Sequence, residues 1–142
     1  MTTVKQLLAA KGDRVWTISP DATVLQAIQA MAEREVGALV VMDGDTLAGI
    51  ISERDYARKV ILQGHSSHAI RVADIMTRHV VTARPDDTAE TCMAVMTERR
   101  IRHLPVVDEG RIAGMISIGD LVRAVIAEQQ FVIAQLQNYV TR

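Results

Sequence analysis

The sequence predicts an α/β (α+β) fold made of two β-α-β-β-α units packed about a pseudo-two-fold axis. Three observations carry this expectation. Residues Val15 to Ile61 lie without a gap over Val80 to Ile126 at an offset of 65, with the same residue at 19 of the 47 positions; ordinary composition would give about three by chance. Behind each of two Pro-Asp pairs, apolar residues recur at helical spacing. After each of those stripes come two apolar runs joined by a short Asp/Gly turn, the pattern of a β-hairpin.

The elements follow in chain order. Val4-Lys5-Gln6-Leu7-Leu8 and its echo Val72-Ala73-Asp74-Ile75-Met76 predict a helical turn or two ahead of each copy, with a gap three residues longer in the first. Val15–Ser19 and Val80–Arg84 are β-rich and stopped by Pro-Asp, which predicts a strand and a turn. Thr23 and Thr88 stand as N-caps ahead of Val24, Ala27, Ile28, Met31 and of Ala89, Cys92, Met93, Met96. The hairpins are expected from Ala38–Met42 with Leu47–Ile51, and from His103–Val107 with Ile112–Ile116. A second helix is expected over about Glu53–Leu62 and from Ile118 onward. The domain boundaries are accordingly 1–62, a polar linker 63–71, 72–127, and a helical extension 128–142 that has no counterpart in the first copy. That extension is either a dimerisation element or a helix closing the chain's own core.

Each copy spans about 47 residues, a size at which a lone core is marginal, so the halves are expected to share one. The apolar content of 49% with 3% aromatics suggests a core of Val, Ile, Leu, Ala and Met. A net charge of −1 supplies no global attraction to nucleic acid or anionic membrane. No run of about 18 apolar residues is present, and Met1–Lys11 lacks signal-peptide architecture, so a cytoplasmic protein with no membrane partner is expected. Cys92 is the only cysteine; it falls on the helical stripe and reads as a small buried hydrophobe.

The sharpest local signal is Gly49-Ile50-Ile51-Ser52-Glu53-Arg54-Asp55 and its copy Gly114-Met115-Ile116-Ser117-Ile118-Gly119-Asp120. Each spans a strand end and the first turn of a helix, where unpaired N–H groups attract phosphate and a carboxylate can accept from a vicinal diol. Ser-x-x-Asp is equally a capping box, and the two roles are compatible. The copies differ where Arg54 stands against Gly119, and where Gly37-Ala38 stands against Arg102-His103. No catalytic constellation emerges: His65, His68, His79 and His103 lack metal-ligand spacing, and no nucleophile grouping is present. Arg58 and Lys59 with Arg54 make a basic helix face, solvated or steering an anion, and Trp16 and Tyr56 read as packing residues.

Both Gly-x-x-Ser-x-x-Asp segments, the Pro-Asp-x-Thr turns and Arg102-His103-Leu104-Pro105-Val106-Val107-Asp108 together resemble the cystathionine-β-synthase (CBS) domain family in its tandem form, the Bateman module. More narrowly, the chain is similar to small stand-alone CBS-pair proteins. The resemblance implies a non-enzymatic regulatory sensor with two clefts for an adenosine-containing ligand (AMP, ADP, ATP or NAD(H)), coupled to an unidentified regulated protein. It also implies a homodimer in which two pairs form a flat disc. One cleft would combine Ser117, Gly119, Asp120 and Arg102 with Ser19, Val24, Val36, Gly37 and Ala38. The other would combine Ser52, Arg54 and Asp55 with Arg84, Ala89, Ile101, Arg102 and His103. Asp55 and Asp120 would hold ribose, and backbone near Gly37-Ala38 and Arg102-His103 would read adenine. No metal and no catalytic residue is implied. The first copy departs from the family by carrying Val40 where Pro is usual, so its β-edge is expected to differ. The alternative to a sensor is a ligand-independent interaction and dimerisation module.

Overall fold

The computed structural model describes residues 1–12 and 14–141; the end of the expected extension, Arg142, lies outside them. The chain divides into two compact units, Val15–Val81 and a discontinuous one made of Met1–Arg14 with Thr82–Arg142. Each is a mixed α/β assembly of one hairpin flanked by helices.

In the Val15–Val81 unit, β1 (Thr17–Ile18) runs parallel to β2 (Ala38–Asp43), which pairs antiparallel with β3 (Thr46–Ser52). The helix α2 (Val24–Arg34) precedes β2. Its start is fixed by Thr23, whose hydroxyl accepts from Gln26 N while Gln26 Oε1 accepts from Thr23 N, a reciprocal cap. Val24, Ala27 and Met31 are buried as the helical spacing demands, against Leu39, Val41 and Ile51 of the sheet. Trp16 packs on this core and carries the Arg34 guanidinium 4.0 Å over its ring.

After β3 the second helix departs from the expected single α-helix. Only α3 (Glu53–Tyr56) is α-helical, and Ala57–Ile61 widens into a π-helical turn, closed by Leu62 N to the Ala57 carbonyl and His65 N to the Val60 carbonyl. The widening falls where Lys59 is held from two sides, by Asp55 and by the Ile75 carbonyl. The lead-in of the second copy is α4 (Val72–Ile75), and it docks here: Val72 N and Ala73 N donate to the Ala22 and Pro20 carbonyls.

The other unit contains α5 (Ala89–Arg99), the hairpin β4 (His103–Asp108) and β5 (Arg111–Ser117), and the long α6 (Ile118–Thr141). The lead-in of the first copy, α1 (Val4–Lys11), docks on it, with Val4 N and Lys5 N donating to the Asp87 and Pro85 carbonyls. Each lead-in thus belongs to the opposite copy's Pro-Asp turn. Val4, Ala89, Cys92, Met96, Leu104, Val106, Ile116 and Leu121 are buried in this unit. Burial, and then the charge of Asp87, push the Cys92 thiol up to about 11.

The strand expected over Val80–Arg84 is not formed; a single bridge, Ala83 with Val106, replaces it. The cause is one missing donor. In the first copy Val40 N donates to the Trp16 carbonyl; its counterpart Pro105 has no N–H to give.

Two glycines of the repeated motif are fixed by these docked lead-ins. A Cβ on Gly49 would lie 2.6 Å from the Thr77 carbonyl oxygen, and one on Gly114 would lie 2.6 Å from Leu8 Cδ2. The motif's glycine therefore seats the lead-in against the strand.

Candidate functional site

In both copies the Ser-x-x-Asp segment folds as the same reciprocal cap at the strand-to-helix junction. Ser52 Oγ accepts from Asp55 N, and Asp55 Oδ2 accepts from Ser52 N at 3.0 Å and Ser52 Oγ at 3.1 Å. Ser117 Oγ accepts from Asp120 N, and Asp120 Oδ2 accepts from Ser117 N at 2.8 Å. The capping reading is correct for both copies, and it also fixes where each carboxylate points.

Each Asp then holds cations with its remaining capacity, and here the copies diverge. Asp55 Oδ1 pairs with Lys59 Nζ at 3.1 Å and accepts from Thr77 Oγ1 at 3.4 Å. Asp120 is more enclosed, 9% exposed, and carries two cations: Arg123 on Oδ1 at 2.7 Å and Lys11 on Oδ2 at 2.6 Å. Lys11 comes from α1 and also donates to the Met115 carbonyl at 2.8 Å. Burial pushes Asp120 up, but hydrogen bonds from Lys11 and Ser117 outweigh it and hold the carboxyl below its ordinary value.

His103 stands opposite Ser117 in the β4–β5 ladder. Burial lowers its pKa; the Asp120 charge works against this, and Lys11 and Arg102 work with it. The described residues of this unit therefore bring Ser117, Asp120, His103, Arg102 and Lys11 into one electrostatic cluster. In the other unit, Ala38 stands opposite Ser52, and the Gly37 carbonyl accepts from Glu53 N at 3.0 Å. The Arg102 carbonyl likewise accepts from Ile118 N at 2.9 Å. One lone pair of each proposed adenine-reading carbonyl is thus occupied.

Several expected site residues lie elsewhere. Val24 and Ala89 are fully buried, and their N–H groups donate to the Ile70 and Thr2 carbonyls; they are core residues with no surface to offer a ligand. Val36 and Ile101 are half-buried, each donating its N–H to the last turn of the preceding helix at Met31 and Met96. Arg84 is exposed beside an open cavity of about 1060 Å³, lined also by Lys5, Asp86, Asp108 and Glu109. That cavity is at the Val107 end of β4, about 13 Å of strand from His103. The structure does not bring Arg84 to His103. Ser19 is exposed and caps its own turn, accepting from Asp21 N. Arg54 and Gly119 occupy matching positions in the first turns of α3 and α6, Arg54 exposed and Gly119 half-buried.

Lys11, Thr77 and Arg123 are the participants that sequence reasoning missed. Lys11 lies 109 residues from Asp120 in the chain, outside the repeat, and no local pattern marks it. Lys59 was visible as a basic helix residue four positions after Asp55. Among the described residues no group of acidic, His or Cys side chains is arranged to hold a metal ion, and no helix is long and apolar enough to cross a membrane.

Comparison with known proteins agrees with this architecture. The CBS domain model matches twice, over residues 4–62 and 72–127. The chain is 42% identical to the mitochondrial CBS domain-containing protein CBSX3 of Arabidopsis thaliana, over 98% of this chain and 72% of that protein. A CBS-domain protein from Burkholderia ambifaria has the same fold, with a TM-score of 0.88, 54% identity, and coverage of 90% of this chain and 96% of that one. The CBS domain pair of protein MJ0100, solved with 5′-methylthioadenosine and S-adenosyl-L-methionine, matches with a TM-score of 0.80 and 26% identity over 90% of this chain and 98% of that one. With the family model on both copies and relatives along nearly its whole length, the chain belongs to the CBS-domain family.

Proposed function

We propose that this chain is a non-enzymatic regulatory module that binds an adenosine-containing ligand (AMP, ADP, ATP or NAD(H)) and passes its occupancy to a partner protein. The sites are centred on Ser52/Asp55 with Arg54, and on Ser117/Asp120 with Gly119 and Arg102. The observation that carries this reading is the duplicated carboxylate. Each Asp is anchored through Oδ2 by its cap and holds a well-exposed cation on Oδ1, Lys59 in one copy and Arg123 in the other. A ribose diol donating to Oδ1 displaces that cation, and the freed cation is then available to a phosphate. The adenosine ligands of the MJ0100 pair support the ligand class.

The two sites are unequal in this reading. A ribose at Asp120 competes with Lys11 as well as Arg123, whereas at Asp55 it competes with Lys59. The Ser52/Asp55 site, with Arg54 beside it, is the tighter one for a phosphate-bearing ligand. Calorimetry with AMP, ATP and NADH on the wild type, Asp55→Asn and Asp120→Asn tests this. The isostere keeps an acceptor for the cap. Each variant loses roughly 10- to 150-fold in affinity at one site, from about 1.5–3 kcal/mol per hydrogen bond to a charged group. Unchanged affinity in both variants overturns the ribose assignment.

The second reading, a ligand-independent association module, is favoured by the bare apolar side chains of α6. It requires that no adenine nucleotide raise the melting temperature even at millimolar concentration. A reducing aqueous compartment, cytoplasm or organelle matrix, suits both readings and the single buried thiol.

A further inference from the structure

The two copies tie the end of the lead-in to the sheet in different ways. In the Val15–Val81 unit the tie is backbone: Ile50 N donates to the Thr77 carbonyl at 3.0 Å and Thr77 N to the Ile50 carbonyl at 2.8 Å. Met115 stands in the place of Ile50 in the other copy, and its carbonyl takes the Lys11 ammonium, also at 2.8 Å. Helix length accounts for the change. The lead-in α1 has eight residues where α4 has four, so a side chain of its last turn reaches the strand that backbone reaches in the other copy.

Lys11 thereby rests on two acceptors, the Met115 carbonyl and Asp120 Oδ2 at 2.6 Å. A ligand can move it. Its side chain is 37% exposed, and a Lys ammonium is a hydrated point charge on a flexible stem, able to re-aim without its backbone moving. At the Ser52/Asp55 site the lead-in contributes an uncharged group instead, the Thr77 hydroxyl at 3.4 Å from Asp55 Oδ1.

The surrounding charge says where the ammonium would go. Asp120 carries Lys11 on one oxygen and Arg123 on the other, and the charge of Arg102 bears on the neighbouring His103. His103 adds no charge at neutral pH, because burial lowers its pKa. Three cations thus face one carboxylate. A neutral nucleoside that takes the carboxylate leaves all of them unanswered. A phosphate monoester brings about −1.5 to −2 charges at pH 7 and answers them.

We infer that Lys11 determines ligand choice at the Ser117/Asp120 site by exchanging the Asp120 carboxylate for the ligand's phosphate, so that phosphate-bearing adenosines are selected over neutral ones. This rests on the adenosine reading of the site, and the two can fail separately. Calorimetry on the full chain compares adenosine with AMP, which differ by a single phosphate, in an Asp55→Asn background that weakens the other site. The background is set against the same chain with Lys11→Met, and with Lys5→Met, which removes the same charge from the opposite end of α1. A thermal transition verifies that each is folded.

In the background AMP binds more tightly than adenosine. Lys11→Met removes a competitor that both ligands displace and a phosphate partner that AMP alone gains. Adenosine therefore tightens about 5- to 30-fold, as expected for a pair between a surface ion pair and a charged hydrogen bond in strength. AMP loses one pairing and is spared another, so it stays within about threefold, and the preference for phosphate collapses. Lys11→Gln, which keeps a donor for the Met115 carbonyl without the charge, gives the same pattern, and Lys5→Met changes neither affinity. An equal shift of both ligands, the mark of a steric plug or a merely structural lysine, overturns the inference, and so does unchanged adenosine affinity. Absence of binding in the background, or binding that survives Asp120→Asn there, overturns the adenosine reading of this site and the role of Lys11 with it.

Discussion

Removing Lys11 separates its charge from its packing. The ammonium sits 2.6 Å from Asp120 Oδ2 and 2.8 Å from the Met115 carbonyl, with Lys11 37% and Asp120 9% exposed. At about 4 Å and an effective dielectric of about 20 the gross attraction is about 4 kcal/mol. Ordering the Lys side chain, about 2 kcal/mol of rotamer entropy, and desolvating the carboxylate both oppose it. Half-exposed pairs therefore fall between the 0.2–1 kcal/mol of surface pairs and the roughly 1.5–3 kcal/mol of charged hydrogen bonds, which gives about 1–2 kcal/mol for this one. Lys11→Met keeps the apolar stem, and a double-mutant cycle with Asp120→Asn cancels the separate bond to the Met115 carbonyl. The sign with pH follows from the lowered Asp120 pKa. A carboxyl held below its unfolded value of about 3.9 stabilises the fold above that pH and loses the contribution as pH falls through the folded value. Urea unfolding at pH 7 should give a coupling of about 1–2 kcal/mol that is intact at pH 5 and shrinks as pH falls below the unfolded value of about 3.9. A coupling below about 0.3 kcal/mol at pH 7, or one that grows as pH falls below that value, would refute the ion pair as its source.

The motif glycines give a second contrast. Gly49→Ala drives a Cβ into a backbone carbonyl, whereas Gly114→Ala meets only the tip of Leu8; chemical unfolding should show a loss of about 2–4 kcal/mol for the first and about 1 kcal/mol for the second, and equal losses would contradict the docking of the lead-ins. Helices α2 and α5 both end on left-handed residues that are not glycine, Glu35 and Arg100, each with φ 55°. Glu35→Gly and Arg100→Gly should each raise stability by about 0.5–1 kcal/mol, measured as a rise of roughly 1–4 °C in melting temperature.

What was legible in the sequence was local. Thr23 and Thr88 are caps because their partners lie three residues on, and the stripes from Val24 and Ala89 are buried because periodicity alone assigns a face. The same stripe already argued against Val24 and Ala89 as ligand contacts, since a residue that fills a core has no surface left. The missing strand before Pro85 was readable in principle, from the absent N–H of Pro105. Lys11 was not. Its meeting with Asp120 depends on where α1 docks, and backbone bonds from Val4 and Lys5 to Asp87 and Pro85 decide that, not any spacing within the repeat.

That docking has a consequence for how such a chain can be divided and how it can have arisen. Cutting within 63–71 yields two fragments, each carrying a lead-in that fits the other fragment and lacking the one it needs. A single copy with its own lead-in is therefore incomplete as a monomer, and two such copies complete each other by exchanging their first helices. The present chain has the topology of a domain-swapped dimer whose two subunits have been joined end to end, so the duplication preserved an exchange as well as a sequence.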